Sequence, residues 1–256
     1  MSFAVAGSTY DRYMGRYSVR LAPLLVDFAG VPAPGRALDV GCGPGALTAE
    51  LASRLGVGSV AAADPSESLA AACAERVPGA DVRVAAAERL PWGDATFDGA
   101  LSQLVVNFMQ DPEAGVREMA RVVRAGAVVA ACTWEHREGM KMLRTFFDAA
   151  LALDPAAPDE AIVMRFQGGE ELAGLWSSAG LREVETAPLD VAVEYSSFDD
   201  YWQPFESGVG PAGAYCASLS AADREALRHE CRRRLGAPSG PFTLAARAWA
   251  VRGEKP

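Results

Sequence analysis

Leu38-Asp39-Val40-Gly41-Cys42-Gly43-Pro44-Gly45-Ala46-Leu47-Thr48 is the stretch on which the reading of this chain turns. An apolar run enters a turn with glycines at 41, 43 and 45, and a helical stretch leaves it. Glycine accepts positive φ and carries no Cβ, so a flat ligand can lie against main-chain atoms at the carboxyl end of a strand. Taken alone the turn is ambiguous. Gly41, Gly43 and Ala46 also satisfy the dinucleotide pattern G-x-G-x-x-G/A, and a tight turn without a ligand is a further reading.

Two acidic residues narrow the choice. Asp64 lies 19 positions after Gly45, at the end of the next expected strand, where a carboxylate accepts hydrogen bonds from ribose hydroxyls. It also suits a turn or helix cap ahead of Pro65, and the two roles are compatible. Asp39, two residues before Gly41, is unfavourable beside a pyrophosphate but favourable beside a ligand with an ammonium and a sulfonium. Asp39 could instead simply brace the turn by hydrogen bonding. The pair moves the expected ligand from a nicotinamide dinucleotide towards S-adenosylmethionine.

Outward from this turn, short apolar runs alternate with Ala-rich helical stretches. The pattern predicts strands near 36–40, 59–63, 81–85, 97–102 and 127–133, with helices near 45–55, 66–76 and 112–123. Such alternation implies a parallel sheet covered on both faces. Before it, Leu21, Leu24, Leu25 and Phe28 mark a helix that Gly30, Pro32 and Pro34 stop. After Trp134 come an apolar helical face at 141–151, a helix near 169–178, a strand near 181–193, a helix near 220–235 and a strand near 242–251. Residues 195–215 hold 6 of the 21 aromatic residues. The organisation expected is one domain over 1–256: an N-terminal helical cap (1–35), a ligand-binding half (36–134) and two cover inserts (135–168 and 194–220).

Composition excludes several classes. The chain has 256 residues, 33 acidic against 24 basic, a net charge of -9 and 50% apolar residues. That is ordinary for a folded domain, which at this length buries roughly 70–75% of the unfolded surface. The apolar runs fall short of the ~20 residues that cross a bilayer, and Met1–Tyr17 lacks the basic and apolar succession of a secretory signal, so the expected compartment is the cytoplasm. Five scattered cysteines with no C-x-x-C pair suggest reduced, buried thiols and no metal site. An acidic chain repels a polyphosphate backbone, and its one dense basic cluster is Arg228 with Arg232, Arg233 and Arg234, so nucleic acid is not the expected partner.

At this point residues 36–134 resemble the class I S-adenosylmethionine-dependent methyltransferases, in particular the small-molecule group of the ubiquinone and menaquinone pathways. The matching segments are Leu38–Gly45, Ala63-Asp64-Pro65-Ser66, Ala87-Glu88-Arg89-Leu90-Pro91-Trp92, Thr96-Phe97-Asp98, Ser102–Phe108 and Arg117–Val122. Tyr10–Tyr17 is similar to a segment ahead of the core in the same group, and 166–252 resembles it more loosely. The resemblance implies a Rossmann-like α/β fold: seven strands, mostly parallel with the last antiparallel, and helices on both faces.

It further implies that Gly41, Cys42 and Gly43 hold the methionine part and ribose, Asp64 with Pro65 the ribose hydroxyls, and Ser66 the adenine flank. Ala87 and Glu88 would line the adenine edge, and Gln103 the methionine portion or the transferred methyl. Tyr13, Arg16 and Tyr17 would close over the cofactor. Where relatives carry Gly-Asp-Ala-Glu this chain reads Ala85-Ala86-Ala87-Glu88, so Glu88 is left to take the role of the missing Asp. The aromatic segment favours a small apolar or aromatic acceptor, unless it merely fills a core. An oxygen acceptor would need a base, for which His136, after the fifth strand, is better placed than His229 on a polar helix. A nicotinamide-dependent oxidoreductase and a cofactor-binding module without turnover are the alternatives.

Overall fold

The computed structural model describes residues 11–256, and side chains from Tyr13 onward. The part of the Tyr10–Tyr17 segment before Asp11 lies outside the described residues. In chain order the elements are a helical turn Asp11–Gly15, α1 (Arg16–Ala29), β1 (Ala37–Val40), α2 (Ala46–Leu55), β2 (Val60–Asp64), α3 (Glu67–Arg76), β3 (Asp81–Val84), β4 (Phe97–Gln103), α4 (Pro112–Val122) and β5 (Val123–Trp134). There follow α5 (Lys141–Leu153), the short α6 (Glu160–Val163), α7 (Gly169–Ser178), β6 (Arg182–Tyr195), α8 (Phe198–Glu206), α9 (Gly210–Ser218), α10 (Ala221–Arg234) and β7 (Phe242–Glu254).

The strands form one seven-stranded sheet in the order β3-β2-β1-β4-β5-β7-β6. Neighbours from β3 through β5 run parallel, with Leu38 beside Ala61 on one side and Ala100 on the other. Strand β7 is antiparallel: Gly126 N–H donates to Lys255 O at one end, while Glu135 N–H donates to Arg247 O at the other. Central strands β1 and β2 are buried at every position, as a doubly covered parallel sheet requires. Edge strand β3 is not buried.

Two boundaries differ from the periodicity. Helix α1 starts at Arg16, about a turn before the expected 21–28, because Tyr17, Leu21 and Leu25 share one face at i, i+4 spacing and are all fully buried. Strand β5 begins at Val123, since Phe97 pairs with Val123 but Gly99 with Val128. The extra residues bulge out at Arg124-Ala125-Gly126, where Gly126 takes φ +76°.

The chain divides into two compact units. The sheet unit comprises Ser18–Thr133, Arg165–Leu189 and Ala248–Pro256. Its core packs Leu38, Val40, Phe97, Val116, Met119, Val129, Leu172 and Trp176. Among the described residues, the aromatic unit comprises residues 11–17, Trp134–Met164 and Asp190–Arg247. There Phe146 stacks on Phe205 with centroids 4.4 Å apart, and Tyr195 stacks on Phe242 at 5.4 Å. Trp202, Tyr201 and Tyr195 are fully enclosed. Of the two inserts expected at 135–168 and 194–220, residues 135–164 and all of the second lie in this unit, together with residues 221–247.

Candidate active site

The glycine turn of the sheet unit joins β1 to α2. Gly41, Gly43 and Gly45 all have positive φ, at +75°, +51° and +91°. They differ in what surrounds them. A Cβ on Gly41 would lie 2.5 Å from both methyls of Val105, and one on Gly45 would lie 3.0 Å from Cys73 Sγ. A Cβ on Gly43 would meet nothing within 4 Å. Gly41 and Gly45 are glycines because protein packs on them; Gly43 opens a cradle that protein leaves empty.

Two carboxylates of opposite situation stand at this turn. Asp64, at the end of β2 and 6% exposed, accepts from the Gly43 N–H through Oδ2 and from the Ser66 N–H through Oδ1, both at 2.9 Å. Each oxygen keeps a second lone pair, so the same carboxylate can receive two hydroxyls. Ser66, not Asp64, is the side-chain N-cap of α3. Burial pushes the Asp64 pKa upward against these two backbone bonds.

Asp39 is completely buried. Its Oδ2 accepts from Thr48 Oγ1 at 2.6 Å, while Oδ1 has no hydrogen-bond partner among the described residues. Desolvation raises its pKa to about 7, against the opposing Thr48 bond. A buried anion with an orphaned oxygen is satisfied by a proton or by a cation. Gln103, at the end of β4, donates from Nε2 to Ser18 O at 3.1 Å, and its buried Oε1 likewise lacks a partner. The next residue, Leu104, has φ +65°, so the chain leaves the strand in a conformation that a non-glycine residue adopts only under constraint.

Ala87 is buried against the Gly115 position, and Pro65 is exposed. Glu88 accepts through Oε1 from the Gln110 and Asp111 N–H groups at 2.9 and 3.2 Å, so it braces the loop before α4. Cys42 sits in the turn, largely buried, near Cys73 of α3.

In the aromatic unit, Tyr13 packs edge-on against Phe205, and the Tyr17 hydroxyl lies 3.0 Å from that of Tyr195. Arg16 pairs with Asp200 at 2.8 Å and covers the Tyr195 ring. His136 is buried, with Nδ1 3.6 Å from Glu160 Oε2, and neither atom has a hydrogen bond among the described residues. Bidentate pairing of Arg144 with Asp159 anchors the N-cap of α6, whose first residue is Glu160. His229 lies on α10, three of whose arginines are ion-paired within the unit: Arg233 and Arg234 share Glu230, and Arg228 pairs with Asp199.

Sequence reading missed Thr48, Cys73, Glu160 and Asp200. Thr48 stands on α2 one turn past Gly45, a spacing that could have shown it; Glu160 opens the four-residue α6, too short to carry a periodic signal.

Sheet order, the glycine turn and the acidic residue ending β2 together define a Rossmann-like methyltransferase fold. Residues 38–131 match the family described as a methyltransferase domain. Among solved structures, the chain is similar to an S-adenosylmethionine-dependent methyltransferase from Thermotoga maritima, with 20% identity, TM-score 0.54 and coverage of 98% of this chain and 100% of that one. The YcgJ protein of Bacillus subtilis gives 16% identity and TM-score 0.57 over 93% and 98% of the two chains. The Haemonchus contortus phosphoethanolamine N-methyltransferase 2, solved with phosphomonomethylethanolamine and S-adenosylhomocysteine, gives 16% identity and TM-score 0.57 over 100% of this chain and 60% of that one. No curated protein matches by sequence. The chain is a methyltransferase, with S-adenosylmethionine as its cofactor. Among the described residues, no helix is long and apolar enough to cross a membrane.

Proposed function

We propose that the chain transfers the methyl group of S-adenosylmethionine to a small apolar or aromatic metabolite, in the manner of the ubiquinone and menaquinone methyltransferases it resembles. It would do so in the cytoplasm, as one catalytic domain over 1–256 and without a nucleic-acid or membrane partner. The observation that carries the reading is Asp39: a wholly buried carboxylate with an orphaned oxygen beside an open glycine turn fits a cationic ligand. The same pocket chemistry disfavours a pyrophosphate.

In this reading Gly41, Cys42 and Gly43 cradle the ligand's backbone, Asp64 takes its ribose hydroxyls, and Pro65, Ser66, Ala87 and Glu88 border the adenine. Asp39 supplies negative potential, and Gln103 Oε1 supplies an acceptor. Tyr13, Arg16 and Tyr17 belong to the N-terminal segment assigned to cofactor closure. When bound, S-adenosylmethionine supplies an electrophilic methyl on a sulfonium. The work left to the protein is alignment and exclusion of water. Support for an apolar acceptor is the composition of the aromatic unit; Trp202, Tyr201 and Phe205 themselves are spent on its core.

For a hydroxyl acceptor, His136 is the assigned base, with Glu160 3.6 Å from Nδ1 to orient the ring and balance its charge. His136→Gln is expected to lower kcat on the order of a hundredfold with little change in cofactor affinity. An unchanged kcat removes His136 from the mechanism. The acceptor itself is found by incubating the protein and methyl-labelled S-adenosylmethionine with metabolite extracts. A labelled apolar or aromatic product is expected. Cofactor binding without any labelled product would favour a module without turnover.

A further inference from the structure

Cys42 and Cys73 are the one pair of cysteines that the fold of the sheet unit brings together in a single buried cluster, with Ala62 and Val82 around them. Cys42 lies between two glycines of the cofactor turn, and its carbonyl accepts from the Gly45 N–H at 2.9 Å. Cys73, on α3, presses on the same turn from behind. Its Sγ is 3.0 Å, and its Cα 3.3 Å, from where a Gly45 Cβ would be. Cys73 Sγ also contacts Thr48 Oγ1 at 3.4 Å, and Thr48 in turn donates to Asp39 at 2.6 Å. A row of small polar groups therefore runs from the thiol pair to the carboxylate assigned to the cofactor.

We propose that Cys42 and Cys73 form a reversible disulfide that disables the cofactor turn. The inference about the cofactor rests on the function proposed above; the disulfide itself does not. The net reaction with hydrogen peroxide is balanced: one thiolate takes an oxygen to become a sulfenic acid, releasing hydroxide, which leaves as water on protonation. The second thiol then displaces that oxygen as a second water and closes the S–S bond. A dithiol reductant returns both thiols and is itself oxidised to a cyclic disulfide.

Three features favour this pair over the other three cysteines. The thiols share one buried cluster, and their interaction holds the Cys42 proton more tightly and lowers the Cys73 pKa, with Thr48 assisting. Low-pKa thiols are the ones that react. Cys42, at 6% exposed, borders the open Gly43 cradle, so a small oxidant arrives by the ligand's own route. Cys132, Cys216 and Cys231 are buried with raised pKa values, chiefly through desolvation. Bond formation draws the sulfurs to about 2 Å, which pulls the turn towards α3 and tightens Gly41 and Gly43 out of their open arrangement.

The test uses the full chain treated with hydrogen peroxide, then denatured for thiol counting and digested for peptide mapping. A fall from five reactive thiols to three, with Cys42 and Cys73 peptides joined, is expected. S-adenosylhomocysteine affinity, read by calorimetry, should fall at least tenfold on oxidation and return with dithiothreitol. Bound S-adenosylhomocysteine should slow the oxidation. Cys73→Ala should bind the reduced protein's ligand normally and become insensitive to peroxide. Five remaining thiols, or oxidation without a cross-link, would overturn the disulfide. A disulfide that leaves affinity unchanged would overturn its effect on the turn. If the reduced protein binds no S-adenosylhomocysteine, the functional reading fails while the thiol count still judges the pair.

Discussion

Asp39 and Asp64 share a turn and a charge yet differ in what folding does to them. Asp64 is compensated by two backbone donors and retains lone pairs for a ligand. Asp64→Ala should weaken S-adenosylhomocysteine binding by roughly 1.5–3 kcal/mol, the range for a hydrogen bond to a charged group, as calorimetry would show. Unchanged affinity would sink the ribose assignment. Asp39 is undercompensated, and its pKa rises to about 7 from an ordinary value of 3.8. Between these values the folded state holds a proton that the unfolded chain has lost, so this residue's contribution to stability declines as pH rises from about 4 to 7. Asp39→Asn should flatten that decline, making the variant relatively more stable at pH 8 than at pH 4, while cofactor affinity falls. Denaturant melts at both values check it; a wild-type pH slope in the variant would refute the assignment.

Within the glycine turn, two glycines are packed against by protein and one faces open space. Gly43→Val should abolish cofactor binding, because its side chain enters space where no protein atom lies within 4 Å and a β-branched residue opposes the φ of +51°. Retained tight binding would mean the turn is not the cofactor site. Gly41→Ala acts differently: its Cβ would fall 2.5 Å from two Val105 methyls. A stability loss of about 1–3 kcal/mol in urea unfolding is expected. Elements such as α2, α3, α4 and β2 were legible because apolar periodicity and glycine or proline punctuation agree there. Strand β5 was not legible at its start, since the bulge at 124–126 is a matter of pairing with β4 and leaves no periodic trace.

At the scale of the whole chain, the two compact units draw on different side chains. The sheet unit is aliphatic at its centre, while the other is built on stacked and edge-on rings. Phe205, fully buried against Phe146, is the centre of that ring cluster. Phe205→Ala should cost about 3–5 kcal/mol, read as a lower midpoint in chemical unfolding followed by tryptophan fluorescence. A cost under about 1 kcal/mol would mean the cluster is loosely packed. Net charge of -9 also takes a local form: Arg233 and Arg234 in the basic cluster of α10 are answered by Glu230, whose pKa these partners, Arg233 foremost, draw down to about 2.

By itself the sequence determined the sheet, its alternating helices and the glycine turn, because period, glycine placement and the spacing from Gly45 to Asp64 are local properties written along the chain. It also indicated which ligand charge the turn suits. Only the tertiary structure decided that Asp39 keeps an orphaned oxygen, that Glu88 braces the loop before α4 and that Glu160 meets His136. The aromatic segment went the same way: composition allowed either a cover or a core, and burial shows a core. Each of these depends on groups distant in sequence meeting in a dry interior, where solvation and partnership, unlike periodicity, leave no local mark.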